Sequence, residues 1–410
     1  MKTLKSILLV FALTGLISCA DNDSDKYADY LVARPLTMSL EEFKNSVDII
    51  TPVPIDESGK IYAYQDLIFV NDKYKGVHVI DNSDPTAPRK VAFIKIAGNV
   101  DISIKDNYLY ADSLTDLIVL DISDIDNIRI VNRLENVLRD NVIWPMEADI
   151  FEYDGWGDPN QVLIGWEVTT ERRLVEEVQM RFENVLMMDA AANSIGQGGS
   201  LARFKIVGDF LYAVDNHSIN VFDITDLGNP QDLEDVFAGF DIETIFNQGD
   251  HLFLGSRSGM YIYDITNPAQ PGFVSEFQHG TACDPVVVDG DYAYVTLRGG
   301  NNCGATESGL FVIDIADLSN PELLKFYPME EPYGLGVKDD RVFVCDGSFG
   351  LKVFDKSNVP DLTQVQHFQD ITTFDVIPLS QHLLMVGEEV LHQYTYSDTG
   401  IELLSSFSLN

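Results

Sequence analysis

Cysteine is scarce in this 410-residue chain, which has four: Cys19, Cys283, Cys303 and Cys345. A fold stapled mainly by disulfides is therefore excluded, and an apolar core must supply the stability. Basic residues are also few, 27 Lys and Arg against 65 Asp and Glu, a formal net charge of −38. Such a surface repels phosphate backbones and anionic head groups, and no basic stripe interrupts it, so nucleic acid is excluded as a partner. Long apolar runs are missing except at the extreme N-terminus, which excludes a polytopic membrane protein. Catalytic signatures are missing too: there is no GxSxG, HExxH, P-loop or dinucleotide fingerprint. The seven histidines (78, 217, 251, 279, 367, 382 and 392) are scattered and read as packing or surface residues. What remains is 45% hydrophobic, a globular composition that excludes a fully disordered chain.

The N-terminus reads as an address. Lys2 and Lys5 precede an apolar core from Ile7 to Ile17, too short for a comfortable permanent span. It ends in LISC at 16–19, which resembles the lipobox of bacterial lipoproteins; the resemblance makes 1–18 a signal peptide and Cys19 the lipidated mature N-terminus. Residues 19–34 then read as a flexible acidic tether. The acidic stretch 21–25 also resembles the surface-export signals of Bacteroidetes lipoproteins, implying an outer-membrane anchor and display at the cell surface. Cleavage removes Lys2 and Lys5 and leaves a charge near −40, so acyl chains alone would hold the chain on a membrane.

The body of the chain repeats. VHVIDNSDPTAP (77–88), LIVLDISDIDN (117–127), INVFDITDLGNP (219–230), MYIYDITNPAQP (260–271), LFVIDIADLSNP (310–321) and LKVFDKSNVPDL (351–362) share an apolar run, an Asp and a polar turn. The shared residues are Asp81, Asp121, Asp223, Asp264, Asp314 and Asp355, spaced by 40, 102, 41, 50 and 41. A decayed seventh copy, LHQYTYSDT, occupies 391–399. Before each run comes a turn and a short alternating strand, as in KDNYLYADS (105–113) or VGDFLYAVDN (207–216). After it comes another apolar stretch, such as KVAFIKI at 90–96. Each repeat thus holds about four antiparallel strands, A to D, which cannot bury both faces of their sheet alone. Radial stacking buries them, so the expected fold is an all-β propeller of four-stranded blades over residues 59–410, with 35–58 leading into it. Each shared Asp is expected to cap its turn through backbone N–H groups. A cation array is the alternative, but no turn matches the spacing of a Ca²⁺ loop, and neither metal nor cofactor is expected.

LIVLD at 117–121 and its copies resemble the bacterial LVIVD-repeat family, as do PLTMSLEEFKNSV (35–47), GKIYAYQDLIFVND (59–72) and GVHVIDNSDP (76–85). The resemblance implies a propeller on an exported lipoprotein and carries no established reaction.

Two interruptions break the repeat. The 102-residue gap carries about 60 extra residues, within 138–200, and its segment 161–178 reads as a hairpin. It forms either an insertion into a seven-bladed ring, the expected count, or a degenerate eighth blade at 140–180. The repeat of Asp314 carries about nine extra residues in 298–308, between strands B and C. In an up-and-down blade, B–C and D–A connections share one face, here called the top, so both interruptions project there and the Asp turns lie opposite. Cys283 and Cys303 both reach this top face, and a Cys283–Cys303 disulfide is expected, with zinc the rival. Closing a loop of about 20 residues would contribute roughly 3 kcal/mol. Cys345 reads as a small buried side chain. His279, Asp284 and Arg298 form the candidate binding cluster, with a loop-stiffening network as the alternative.

The expectation is a monomeric binding module that engages a protein or glycan through the top face and meets the membrane only through lipid. The alternatives are a carbohydrate-directed lyase or hydrolase and a structural subunit of an envelope complex.

Overall fold

The run at 117–120 shows why this chain folds into blades. Leu117, Ile118, Val119 and Leu120 are all fully buried. Ile118 and Leu120 pack with Phe69, Val77 and Val79 of the preceding repeat. Leu117 and Val119 pack on the other side, with Leu211 and Phe222 of the following one. Alternate side chains of one strand serve two neighbouring sheets, so a continuous apolar run replaces apolar–polar alternation. Each such side chain contributes on the order of 1.5–3 kcal/mol through burial.

The computed structural model describes residues 27–138, 145, 148–153, 160–175, 199–278, 285–298 and 308–410. Among them, seven sheets of four or five strands form the blades, and an eighth sheet has three strands. Blade 2 illustrates the pattern: strands Ile102–Lys105, Tyr108–Ser113, Asp116–Asp121 and Arg129–Leu134 pair antiparallel in sequence order. The innermost strands are Ser58–Tyr64, Ile102–Lys105, Phe204–Val207, Ile242–Gln248, Val286–Asp289, Leu335–Lys338 and Asp375–Pro378. Each lies beside the next, and the last returns to the first, so the ring closes with seven blades. No described helix is long and apolar enough to cross a membrane.

Closure exchanges no strand between the termini. Blade 7 runs from Asp375 to Ser408, and blade 1 is built from Asp48–Ile50 and residues between Ser58 and Lys95. Ile61, Ile68, Val70 and Ile80 of blade 1 pack against Leu384, Val386 and Leu391 of blade 7. Across this seam, Asn82 Nδ2 donates to Gln393 Oε1 at 3.1 Å and Gln393 Nε2 returns a bond to Asn82 Oδ1 at 2.7 Å.

The three-stranded sheet corrects two expectations. Residues 27–34, read as the end of a flexible tether, belong to the strand Tyr27–Ser39. Residues 161–174, read as part of a hairpin, form one continuous strand paired with it from Tyr27 opposite Leu174 to Ser39 opposite Gln161. Ile150–Phe151 adds a parallel third strand. The described part of the insertion therefore forms no eighth blade but a side sheet shared with the strand Tyr27–Ser39. Ala33 and Trp166 of this sheet pack with Phe43, Ala97 and Leu114. The N-terminal strand runs into the short helix Leu40–Lys44, started by a capping box: Ser39 Oγ accepts from Glu42 N at 3.2 Å, and Ser39 N donates to Glu42 Oε2 at 3.0 Å.

Candidate functional site

The six repeated aspartates each end a C strand. In every one, Oδ1 accepts the N–H two residues on: Ser83 to Asp81 (2.9 Å), Ser123 to Asp121 (2.9 Å), Thr225 to Asp223 (2.8 Å), Thr266 to Asp264 (2.6 Å), Ala316 to Asp314 (2.9 Å) and Ser357 to Asp355 (2.8 Å). These are Asx-turns. Arg89, Arg129 and Arg341 add ion pairs to Asp81, Asp121 and Asp355. Hydrogen bonds from Ser83, Ser123, Thr225, Thr266 and Ser357 hold the carboxyls of Asp81, Asp121, Asp223, Asp264 and Asp355 below the ordinary aspartate range. With one oxygen already bound to its own turn, each carboxylate acts on the fold.

The strands that flank both interruptions end on the opposite, top face. Of the candidate residues there, Arg298 is described, whereas His279, Cys283, Asp284 and Cys303 lie outside the described residues, as does most of the 298–308 insertion. The Arg298 guanidinium lies 4.1 Å from the centroid of the Tyr333 ring. Tyr333 meets Phe374 edge-on at 5.4 Å, and its carbonyl accepts from Thr296 Oγ1 at 2.6 Å. Side chains of blades 5, 6 and 7 thus abut on one rim. Exposed rings lie on the same face: Phe349 (44% exposed) in a B–C connection, and Phe237 and Phe240 (63% each) where blade 3 passes to blade 4. Cys345 is a buried free thiol, raised in pKa by that burial.

The axis holds a charged cluster that sequence reasoning missed. Lys60 Nζ and Asp101 Oδ2 lie 3.0 Å apart, both almost wholly buried. The same oxygen accepts from the backbone N–H groups of Arg203 and Phe204. Asp112 Oδ1 accepts from Val100 N at 2.8 Å, Asp101 N at 2.9 Å and Asn99 Nδ2 at 2.7 Å. Asp375 is fully buried; its Oδ1 accepts from Ser200 N at 3.4 Å, and its Oδ2 has no hydrogen-bond partner among the described residues. Burial pushes the Asp112 carboxyl up to about 6 and that of Asp375 well above its ordinary value, and it lowers Lys60 against the attraction of Asp101. The residues missed come from three blades, Lys60 from the first, Asp101 and Asp112 from the second and Asp375 from the last, with no local motif to mark them. Position is the one signal, and it covers only Lys60 and Asp375, which lie in innermost strands; Asp101 precedes such a strand and Asp112 lies in the next one out. Among the described residues, no three His, Cys, Asp or Glu side chains are placed to hold a metal ion.

A closed ring of four-stranded blades defines a β-propeller. The LVIVD repeat model matches residues 57–92, 97–133, 244–278 and 279–328, so the chain is a propeller built with LVIVD repeats. No curated protein matches it. Among solved structures it resembles Saccharomyces cerevisiae Sqt1, at 9% identity over 88% of each chain with a TM-score of 0.50. Others include a computationally designed protein, Ika8 (10% identity, 87% of this chain and 89% of that, TM-score 0.49), and BamB from Moraxella catarrhalis (10%, 88% and 91%, 0.49). At these identities the likeness concerns the fold alone.

Proposed function

We propose that the chain is an exported lipoprotein, anchored through Cys19 in the outer membrane and displayed at the cell surface, whose propeller binds a protein or glycan through its top face. One observation carries the reading. The exposed rings of Phe240 and Phe349 lie in connections, and that of Phe237 at the end of a short strand, on the face that also carries the Arg298–Tyr333 stack. Exposed aromatic and arginine side chains grouped on one face are the composition of an interface core. The test removes residues 299–307 in one variant and replaces Phe237 and Phe240 by Ser in another, then compares surface partners captured by the full chain. Loss of a partner supports the reading, and an unchanged set refutes it. Anchoring is tested separately: Cys19→Ala abolishes incorporation of labelled palmitate.

The carboxylates around the axis favour a second reading, a carbohydrate-directed lyase or hydrolase. Turnover of a polysaccharide by purified protein, lost in Asp375→Asn, would establish it over the first.

A further inference from the structure

The innermost strands enclose an axial well of about 500 Å³, a volume typical of small-molecule sites. Its two ends differ. Across the top lies the 3₁₀ turn Gly199–Leu201, against the innermost strands of blades 1, 4, 5, 6 and 7. This turn is held by the bond from Ser200 N to Asp375 and by Leu335 N donating to Ser200 Oγ at 2.9 Å. At the other end, the lining reaches Lys105, Asp289 and Leu379, where innermost strands run into their A–B turns. Lys105 is opposite Tyr108, and Tyr108 is opposite Asp121, so the mouth is on the face of the aspartate turns. The well is blind at the top and opens away from the aromatic rim.

Its wall carries an apolar stretch, through Ile206, Phe246, Val337 and Ile377, between charged and hydroxyl groups. Four of the wall's five charges are paired: Lys60 with Asp101, Lys105 with Asp209 at 2.6 Å, and Asp289 with Lys356 at 2.6 Å. Lys205 differs. Among the described residues it makes no ion pair, and its Nζ lies 5.4 Å from the centroid of the Phe246 ring. Its burial lowers its pKa, as expected of an ammonium without a carboxylate to offset desolvation. In a chain of formal charge −38, carboxylates are abundant and one at this position would be easy to supply.

We propose that the well binds a small anionic amphiphile, a carboxylate on an apolar body, which enters from the aspartate-turn face and sets its charge against Lys205. The apolar body lies along the isoleucine and valine wall, and the carboxylate accepts hydrogen bonds from the ammonium. The site uses neither the top-face connections nor the axial carboxylates as reacting groups, so it stands or falls independently of the function proposed above.

The experiment titrates the full mature chain with decanoate by calorimetry, alongside acetate and decyltrimethylammonium. One saturable equivalent of decanoate is expected, weakened at least about tenfold by Lys205→Met, which keeps the apolar stem and removes one charge-assisted hydrogen bond. Ile206→Trp and Ala63→Phe, which fill the well, abolish binding; having both guards against one failing to fold. Urea midpoints matching wild type identify the folded variants. The proposal is overturned by the absence of saturable binding to wild type, by equal affinity in Lys205→Met, or by acetate or decyltrimethylammonium binding as tightly as decanoate.

Discussion

Asp121 combines one turn bond from Ser123 with an ion pair to Arg129 at 2.5 Å, on a side chain that water still reaches. Solvent screening leaves the ion pair little weight, so the turn bond dominates. Asp121→Ala should cost about 1 kcal/mol in urea unfolding, whereas Asp121→Asn, which keeps an oxygen acceptor, should recover most of it. Equal losses in the two variants would instead assign the effect to charge. The buried Asp112 behaves oppositely with pH. Its folded pKa, about 6, lies above an unfolded value near 3.9, so its contribution is full below about pH 4 and is lost as pH rises through 6. The depressed aspartates at the turns have the reverse sign, contributing above about pH 4 and losing that contribution on acidification. Urea midpoints of Asp112→Asn and wild type, compared from pH 4 to 8, should show the variant gaining on wild type by up to about 3 kcal/mol, all of it between pH 4 and 7. A constant difference across that range would show that Asp112 does not titrate there.

At the scale of elements, the legible parts of this fold are the local ones. The run Leu117–Leu120 announces a strand covered on both faces, and the aspartate after it announces the turn, because cause and effect lie within a few residues. The side sheet escapes such reading. Tyr27–Ser39 finds its partner in Gln161–Leu174, more than 100 residues away, with no turn between them to signal the pairing. Neither strand shows strict alternation, since the bulge at Leu36–Thr37 interrupts the register. The sheet is fastened by an alternating ring of charges: Arg34 pairs with Glu152 (2.9 Å) and Glu171 (2.5 Å), and Arg173 with the same two residues, at 2.7 Å each. Removing residues 27–39 would strip Gln161–Leu174 of its long partner and uncover Trp166, leaving an unpaired apolar edge. Limited proteolysis of that truncation should cut within 160–175, in a segment resistant in the full chain. Equal resistance in both would mean that the strand is held by the ring alone.

At the scale of the whole molecule, neighbouring blades are tied by side chains reaching into the next blade's C–D turn. Tyr110 Oη donates to the Leu227 carbonyl at 2.9 Å, and Tyr212 Oη to that of Pro268 at 2.8 Å. The seam between blades 7 and 1 uses the same device with an amide, since Gln393 Nε2 donates to the Pro85 carbonyl at 3.1 Å as well as to Asn82. Among the described residues no strand is exchanged across it, so closure rests on the Asn82–Gln393 pair, the apolar contacts and further bonds across the seam: Ile55 N to the Leu409 carbonyl at 3.0 Å, Ser58 Oγ to that of Gly387 at 3.3 Å, Ser405 Oγ to that of Pro85 at 2.6 Å, and Lys90 Nζ to that of Leu409. Both amides are buried, and removing one leaves the other short of partners: Gln393 keeps only its bond to the Pro85 carbonyl, and Asn82 only a 3.4 Å contact with His382 Nε2. Gln393→Ala should therefore cost about 2–3 kcal/mol, and Asn82→Ala a similar amount. The double variant should lose less than the two single losses combined, because no orphaned amide remains, giving a coupling of at least about 1 kcal/mol. Tyr212→Phe, at the interface between blades 3 and 4, provides the comparison: it removes one hydroxyl without opening the ring. Amide exchange in blades 1 and 7 should accelerate selectively in Gln393→Ala and not in Tyr212→Phe. Additive losses, or acceleration spread evenly over all blades, would place the weak point of the ring elsewhere.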